Sequence, residues 1–258
     1  MAAPEEGRLL YGHRKYAALH LMHSRAIRLS VSPDTEYVYV TLGGTEFRDV
    51  QSLRFIDPRL ASRIISFETD KARHKLATKT AEQLQAQGIP LTLLNKSFFD
   101  YERTDDLPHI FFLDLEGICA WGDYSEKLGQ MFQDEVIREG DLLLVTSSLG
   151  HNPGTKEIMK TFAGEYTVLN IVGEEEAKKV YKRSHPSFTL YKALNQKGLT
   201  QELRIRCLGC IKYRDNSPMG IYGYSILTGA TDFKQLINDS EIQYYDMNEV
   251  RCCDRADW

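Results

Sequence analysis

Val38–Val50 reads VYVTLGGTEFRDV, a run in which a strand, a glycine turn and a helix start follow one another without interruption. The first four residues favour a β-strand, Leu42-Gly43-Gly44-Thr45 forms the turn, and the polar remainder is compatible with a helix. Such a unit can cradle an anionic or nucleotide-like group, because glycines let the backbone approach closely and a helix start offers free N–H groups. A glycine pair after a strand is also common in turns that bind nothing, so the ligand-binding interpretation depends on the rest of the chain.

The rest of the chain alternates between predicted strands and helices. Apolar runs predict strands at 36–41, 63–68, 90–94, 109–114 and 141–146. Apolar residues spaced three and four apart predict helices at 4–27, 70–87, 123–138 and 155–163. A final pair of strands joined by a turn is predicted at 203–214 and 221–227. We therefore expect an α/β fold, a doubly wound, mostly parallel sheet closed by a C-terminal antiparallel β-hairpin, with an N-terminal helical extension.

Composition indicates an ordinary globular protein of a reducing compartment. The chain has 258 residues, of which 42% are hydrophobic and 26% charged. Its five cysteines, an odd number, argue against a disulfide framework. Arginines are scattered through the first thirty residues and no long apolar run occurs, which predicts neither a secretory leader nor a membrane span. The expected location is cytoplasmic.

The net charge of −4 conceals two basic segments. Residues 8–28 hold five Lys/Arg and no acid, and residues 178–214 hold ten Lys/Arg against one acid. The segment 178–214 therefore predicts nucleic acid as a partner, whereas solvated faces balanced by the acidic last thirty residues would explain the same pattern. Within the N-terminal helix, Tyr11, Arg14 and Lys15 are candidates to cap a substrate or cofactor, although a docked amphipathic helix explains them as well.

Polar side chains follow each predicted strand of the parallel sheet. They stand at Thr41–Thr45, Glu68, Asn95–Ser97 with Asp100, Asp114–Glu116 and Thr146–Ser148. Ligands of doubly wound sheets bind at these carboxyl ends of the strands. Glu68 lies 24 residues beyond Gly44, where an acid can accept hydrogen bonds from both ribose hydroxyls of a nucleotide. The alternative is an acid favoured by a helix N-terminus, a role that Asp70 would fill equally well.

This order of features resembles the class I S-adenosylmethionine-dependent methyltransferases, and the resemblance covers residues 36–227. It rests on the glycine turn after the first strand, the acid that ends the second, the polar end of the third and the acid on the fourth. The closing hairpin separates that fold from dinucleotide-binding dehydrogenases. We therefore expect three parts: a helical extension at 1–34, a Rossmann-like methyltransferase domain at 35–228, and an acidic tail packed on it at 229–258.

The resemblance also implies S-adenosylmethionine as the cofactor and gives roles to individual residues. The methionine part of the cofactor would pass the turn at Thr41, Gly43, Gly44 and Thr45, and Glu68 would hold the ribose. The adenine would be bordered by Ser97, Phe98 or Asp100. Asp114 would face the sulfonium and the substrate, and either Asp114 or Glu116 would act as a base toward a hydroxyl or amine.

The sequence departs from the family at two places. The family usually has an acid at the end of its first strand and a Gly-x-Gly turn, but Thr41 and Gly-Gly-Thr stand here. Glu46 or Asp49 are candidates for the missing carboxylate, although neither position matches well. After the fourth strand the chain lacks the Asn/Asp-Pro-Pro-aromatic tetrad and the Pro-Cys of base methyltransferases, which disfavours both of those chemistries.

The leading hypothesis is therefore a methyltransferase whose acceptor is nucleic acid, with a protein or small molecule still open. The alternatives are a methyltransferase-like binding module that has lost its cofactor, and a nicotinamide-dependent oxidoreductase using the same glycine turn and Glu68.

Two further segments invite interpretation. Cys207 and Cys210 would form part of a zinc site only if they faced one another, and residues three apart on a strand point to opposite faces. We therefore expect structural thiols and no metal site. The segment 185–188, His-Pro-Ser-Phe, is predicted to precede the helix before the hairpin, where the resemblance implies that it shapes substrate entry.

Overall fold

The computed structural model describes residues 6–31, 35–42, 44–56, 63–114, 124–149, 174–214, 218–242 and 244–246. Three sequence-based expectations lie outside these residues: the helix at 155–163, the cofactor contact at Gly43 and the base at Glu116. None of the helices in these ranges combines the length and the apolar character needed to cross a lipid bilayer.

The strands of the described chain form one mixed sheet. They are β1 (Val38–Thr41), β2 (Arg63–Phe67), β3 (Leu91–Leu94), β4 (His109–Asp114), β5 (Leu142–Ser148), β6 (Leu203–Arg214), β7 (Pro218–Thr228) and β8 (Tyr244–Asp246). Their order is β3-β2-β1-β4-β5-β7-β6-β8. The first five strands are parallel, β7 is antiparallel to both β5 and β6, and β8 is parallel to β6. The predicted fold class, an α/β fold with a mostly parallel sheet and a C-terminal antiparallel hairpin, is confirmed.

Helices cover both faces of the sheet. They are α1 (Glu6–Ser30), α2 (Arg48–Ile56), α3 (Lys71–Ala86), α4 (Tyr124–Gln133), α5 (Glu174–Gln196) and α6 (Phe233–Ile242). One core cluster joins α1, α2 and α3 to one face of the sheet, and a second joins α4, α5 and α6 to the other. Central strands are apolar on both sides because both faces are buried, as β4 shows with buried residues from His109 to Leu113.

The expectation that Cys207 and Cys210 point to opposite faces is wrong. The pairing of β6 with β7 shifts register between Cys207 and Gly209, where one extra residue enters the strand as a β-bulge. Cys207 therefore lies opposite Tyr224 and Cys210 opposite Tyr222, two residues apart on β7, and both cysteines join the same core cluster. Both are buried and neither forms a disulfide, in agreement with structural thiols.

The segment 185–188 does not precede a helix but lies inside α5, with Pro186 in its interior. Proline lacks an N–H and normally breaks a helix at such a position. Here the neighbouring residues Ser184, His185, Ser187 and Phe188 are all buried against the sheet. Tertiary packing of this stretch therefore outweighs the local cost.

The acidic segment after 229 contains two elements that the sequence pattern did not predict. Helix α6 packs on α5, where Phe233 contacts the rings of Phe188 and Tyr191. Strand β8 then adds to β6 beside Cys210–Lys212. A strand of three residues is too short to show periodicity, which explains why the pattern missed it.

Candidate functional site

A cavity of about 190 Å³ opens at the carboxyl ends of β1 and β4. From β1 the chain adds β2 and β3 on one side of the sheet, and then β4 and β5 on the other. The gap between β1 and β4 is therefore the point where the order of strand addition reverses. The cavity lies between α1, the glycine turn and the first turn of α2. Its lining residues are Lys15, Tyr16, Leu19, Leu42, Gly44, Thr45, Glu46, Phe47, Arg48, Asp49, Phe112 and Asp114.

Asp114, at the tip of β4, is engaged through both of its carboxylate oxygens. Oδ2 accepts from Lys15 Nζ at 2.6 Å, and Oδ1 accepts from the Thr146 hydroxyl at 2.7 Å. The side chains of Lys15 and Asp114 are each about one quarter exposed, so the ion pair faces the cavity rather than bulk solvent. Lys15 therefore lies at the cavity, as the sequence suggested, and α1 forms one of its walls.

Asp49, from the first turn of α2, places a carboxylate at the tip of β1. Its Oδ2 accepts from the Thr41 hydroxyl at 2.7 Å and from the Tyr39 hydroxyl at 3.2 Å. Burial raises the pKa of the Asp49 carboxyl, and the hydrogen bond from Thr41 opposes that shift. A carboxylate from the following helix thus lies at the tip of β1, where the Thr41 hydroxyl holds it in place.

The hydrogen-bonded chain below Asp49 continues into the core. The Tyr39 hydroxyl hydrogen points to Asp49, so Nε2–H of His23 donates to the Tyr39 oxygen at 3.3 Å. Burial lowers the pKa of His23 to about 3, which keeps the ring neutral. His23 Nδ1 is buried and has no hydrogen-bond partner among the described residues. The floor of the cavity is therefore polar but carries no positive charge beneath Asp49.

The glycine turn itself is closed by Phe47. The Phe47 N–H donates to the Gly44 carbonyl at 3.2 Å, and Phe47 has a φ of 48°, unusual for a bulky residue. Its fully buried ring anchors the turn in the core. Gly44 is different, because its φ is not in the left-handed region and a Cβ built on it would meet no atom within 4 Å. The fold does not require glycine at 44, and the space beside it is open.

Arg48 and Tyr16 form the outer wall of the cavity. The Arg48 guanidinium carbon lies 5.2 Å from the centre of the Tyr16 ring, and Arg48 also forms an ion pair with Glu46. The wall thus joins α1 to the start of α2. Arg48 is a residue that the sequence pattern did not single out.

Glu68 lies one residue beyond β2 at the same edge of the sheet, but it does not line the cavity. Its Oε1 accepts the Asp70 N–H at 2.9 Å, and Asn95 Nδ2 donates to the Glu68 carbonyl at 2.7 Å. Asp70 caps α3 by accepting the Arg73 N–H at 2.8 Å. The helix-capping role therefore belongs to Asp70, and the half-buried Glu68 is available for another.

Residues after β3 divide into core and surface. Phe98, predicted to border the adenine, is buried with its ring edge-on against Phe67 and Phe111. Ser97 caps the short 3₁₀ turn by accepting the Phe99 N–H at 3.2 Å, and Asp100 is exposed. The aromatic side chain that this turn leaves partly exposed is Phe99, over which Lys127 lies at 5.4 Å. The Phe98 expectation is therefore wrong, because the turn directs that ring inward.

The structure thus brings Gly44, Thr45 and Asp114 together at one cavity, and it places Thr41 directly behind it as the partner of Asp49. Glu68 follows the neighbouring strand at the same edge. Within the described ranges no group of three or more His, Cys, Asp or Glu side chains is arranged to hold a metal ion.

No family model matches the chain, and no curated protein matches it either. Similar solved structures include a candidate rRNA methylase from Clostridium thermocellum, at 13% identity over 83% of this chain and 97% of that one, with a TM-score of 0.45. The plantazolicin methyltransferase BpumL, solved with SAH, is 7% identical over 83% of this chain and 84% of its own, also with a TM-score of 0.45. A candidate O-methyltransferase from Klebsiella pneumoniae is 13% identical over 88% and 82% of the two chains, with a TM-score of 0.43. Similarity at this level carries no argument about activity.

Proposed function

We propose that this protein is an S-adenosylmethionine-dependent methyltransferase with nucleic acid as the methyl acceptor. The observation that carries the proposal is the position of the charged cavity, beside the glycine turn at the switch point of a sheet closed by an antiparallel hairpin. The cavity is smaller than the roughly 300–1,000 Å³ usual for a complete ligand site. It is therefore matched to the amino-acid end of the cofactor, with the nucleoside end lying along the sheet edge toward Glu68.

The residues present fit that cofactor. Gly44 leaves space that a Cβ would otherwise fill, and the first turn of α2 turns its N–H groups and positive dipole end to the cavity, where an α-carboxylate would be stabilised. Asp49 and Asp114 offer carboxylates to an ammonium group, and Glu68 offers one to ribose hydroxyls. The cofactor would supply a methyl group made electrophilic by a sulfonium sulfur.

The chain's own contribution to transfer would be alignment and charge. A methyl acceptor needs to be held in line and to lose a proton, so few catalytic groups are required. In this proposal Asp114 and Lys15 act together at the mouth of the cavity, and Glu116, outside the described residues, remains a candidate base. The basic segment 178–214 would contact the phosphates of the acceptor.

One observation favours a second candidate, a binding module of the same fold without cofactor. Lys15 Nζ already occupies Asp114 at 2.6 Å, in the place where a cationic ligand group would bind. Calorimetric titration with S-adenosylmethionine, S-adenosylhomocysteine and NADH separates the candidates. Micromolar binding of the first two supports the methyltransferase, binding of none supports the module, and binding of NADH alone supports the oxidoreductase.

Replacing Gly44 with alanine tests the cofactor position directly. We expect the free energy of unfolding to stay within about 0.5 kcal/mol of wild type, because the new Cβ meets no protein atom. S-adenosylhomocysteine affinity should fall by about tenfold or more, because the same Cβ projects into the space assigned to the ligand. Calorimetry and urea denaturation measure the two effects, and an unchanged affinity would mean that the ligand does not pass Gly44.

Glu68→Ala is expected to weaken S-adenosylhomocysteine binding by about 1–3 kcal/mol, the scale of hydrogen bonds to a charged group. Asp70→Ala is the matched control, since it removes the same charge two residues away. That control should lose about 1 kcal/mol of stability as a helix cap and leave the affinity unchanged. Equal affinities for both variants and wild type would remove Glu68 from the site.

A further inference from the structure

The two basic segments of the sequence meet on one face of the sheet. Helix α1 packs against β6 and β7, and Arg25 Nε donates to the Leu208 carbonyl of β6 at 2.5 Å. Along the described side chains of α1, from Lys15 to Ser30, and along all of β6 there are seven Lys/Arg and no acid. The fold therefore concentrates positive charge that lies far apart in the sequence.

Four arginines of this region are exposed: Arg214 at the end of β6, and Arg28, Arg204 and Arg206. Arg204 and Arg206 alternate with the buried Ile205 and Cys207, so their side chains leave β6 on the α1 side of the sheet. Arg28 is also exposed and lies one turn beyond Arg25, the residue of α1 that donates to the Leu208 carbonyl of β6. We call Arg28, Arg204 and Arg206 the arginine face.

Among the described residues, no acid of the C-terminal segment forms an ion pair with the arginine face, although this segment contacts β6 through Thr231 and β8. Helix α6 packs against α5 on the opposite face of the sheet, where Leu236 joins the second core cluster.

We infer that the arginine face binds the backbone phosphates of a double-helical nucleic acid. Arg204 and Arg206 are two strand positions apart, about 6.6 Å, which is about twice the 3.4 Å axial rise between successive phosphates of one strand of a duplex. Among the exposed side chains described on α1 and β6, such as Leu21 and Leu29, none is aromatic. A single strand is usually held by stacking its bases on aromatic rings, so this surface fits a duplex backbone better.

The arginine face also has a defined distance from the cavity. Lys15 and Arg28 are thirteen residues apart on α1, about 20 Å at 1.5 Å per residue. That length corresponds to about six base-pair steps of 3.4 Å. A duplex lying along α1 would therefore reach the cavity. That the duplex is the methyl acceptor rests on the proposed function, but the binding of the duplex does not.

The test is fluorescence anisotropy with labelled RNA and DNA duplexes of about 20 base pairs, titrated between about 50 and 200 mM NaCl. We expect wild-type affinity for at least one duplex to fall linearly with salt on logarithmic axes. The double variant R204Q/R206Q should bind about tenfold or more weakly. Its salt slope should be smaller by about 1.8, or about 0.9 for each phosphate that an arginine no longer neutralises.

The matched control is K75Q/K79Q, which removes the same charge from exposed positions of α3 and should leave affinity and slope unchanged. Three results would overturn the inference: no salt-dependent duplex binding by wild type, equal binding by R204Q/R206Q, or binding to phosphatidylserine vesicles without duplex binding. Calorimetry with S-adenosylhomocysteine on the same proteins is independent. Absence of that ligand's binding would count against the proposed function and leave duplex binding standing.

Discussion

Replacing Asp141 with alanine is expected to lower the free energy of unfolding by about 3–5 kcal/mol. Asp141 is fully buried at the start of β5, and the Arg103 side chain that faces it is only 6% exposed. Asp141 Oδ2 accepts from Arg103 Nη1 at 2.7 Å, and Oδ1 accepts from Nη2 at 3.3 Å. Removal of the carboxylate would leave the guanidinium charge buried without its partner.

The same carboxylate also joins two segments of backbone. It accepts the N–H groups of His109 and Arg138, each at 2.8 Å, and so ties the beginning of β4 to the turn before β5. Burial raises the pKa of Asp141, while the hydrogen bond from Arg103 opposes that shift. Alanine would therefore leave two backbone donors without this acceptor as well as one unpaired charge.

Urea denaturation followed by circular dichroism measures the change in the free energy of unfolding. An unaltered dependence of that free energy on urea concentration would show that the two proteins can be compared as two-state folders. Asp106→Ala is the control, because Asp106 also pairs with an arginine, Arg138 at 3.0 Å, but is fully exposed. Its denaturation midpoint should match wild type. In the double variant R103A/D141A, the Arg103→Ala substitution should lower the free energy of unfolding by less than it does in the wild-type background, because its charge partner is already absent. A loss below about 1 kcal/mol for Asp141→Ala would contradict this account.

The sheet was predictable because each of its parallel strands is an apolar run with a polar end. The limits of β1 to β5 differ from the sequence-based ranges by no more than two residues, and β6 matches its range. The errors arose where tertiary contacts overrode local pattern. The bulge before Gly209 places the two cysteines on the same face of the sheet instead of on opposite faces, and Pro186 lies inside a helix whose neighbouring residues are buried.

The candidate site was less predictable, because its contacts join residues far apart in the chain. Nothing in the local sequence shows that Lys15 reaches Asp114, which is 99 residues away. Asp49 stands eight positions after Thr41, across a turn and the start of a helix, so the local pattern does not show that the two side chains meet. The path of that turn, with Phe47 in a left-handed conformation, brings the two side chains together.

Asp114→Asn is expected to lower the rate of methyl transfer by about 10²–10⁴, the range for a positioned acid or base. The amide keeps the shape of the carboxylate but cannot neutralise the Lys15 ammonium 2.6 Å away. The measurement is transfer of a tritiated methyl group from S-adenosylmethionine to the RNA or DNA pool that wild type labels. Affinity for S-adenosylhomocysteine should fall by much less than the rate of transfer, which would place most of the loss in transfer rather than in cofactor binding.

Thr146→Val separates charge from geometry. Valine removes the hydroxyl that donates to Asp114 Oδ1 at 2.7 Å but leaves the Lys15–Asp114 ion pair intact, so the rate should fall by less than about tenfold. Lys15→Met removes the other half of the pair and should resemble Asp114→Asn. Because the two groups act as one unit in this proposal, the double variant should be no slower than Asp114→Asn alone. Additive losses in the double variant would show that Lys15 and Asp114 contribute separately. A Thr146→Val effect as large as that of Asp114→Asn would assign the loss to the shape of the β4 and β5 tips instead of to charge.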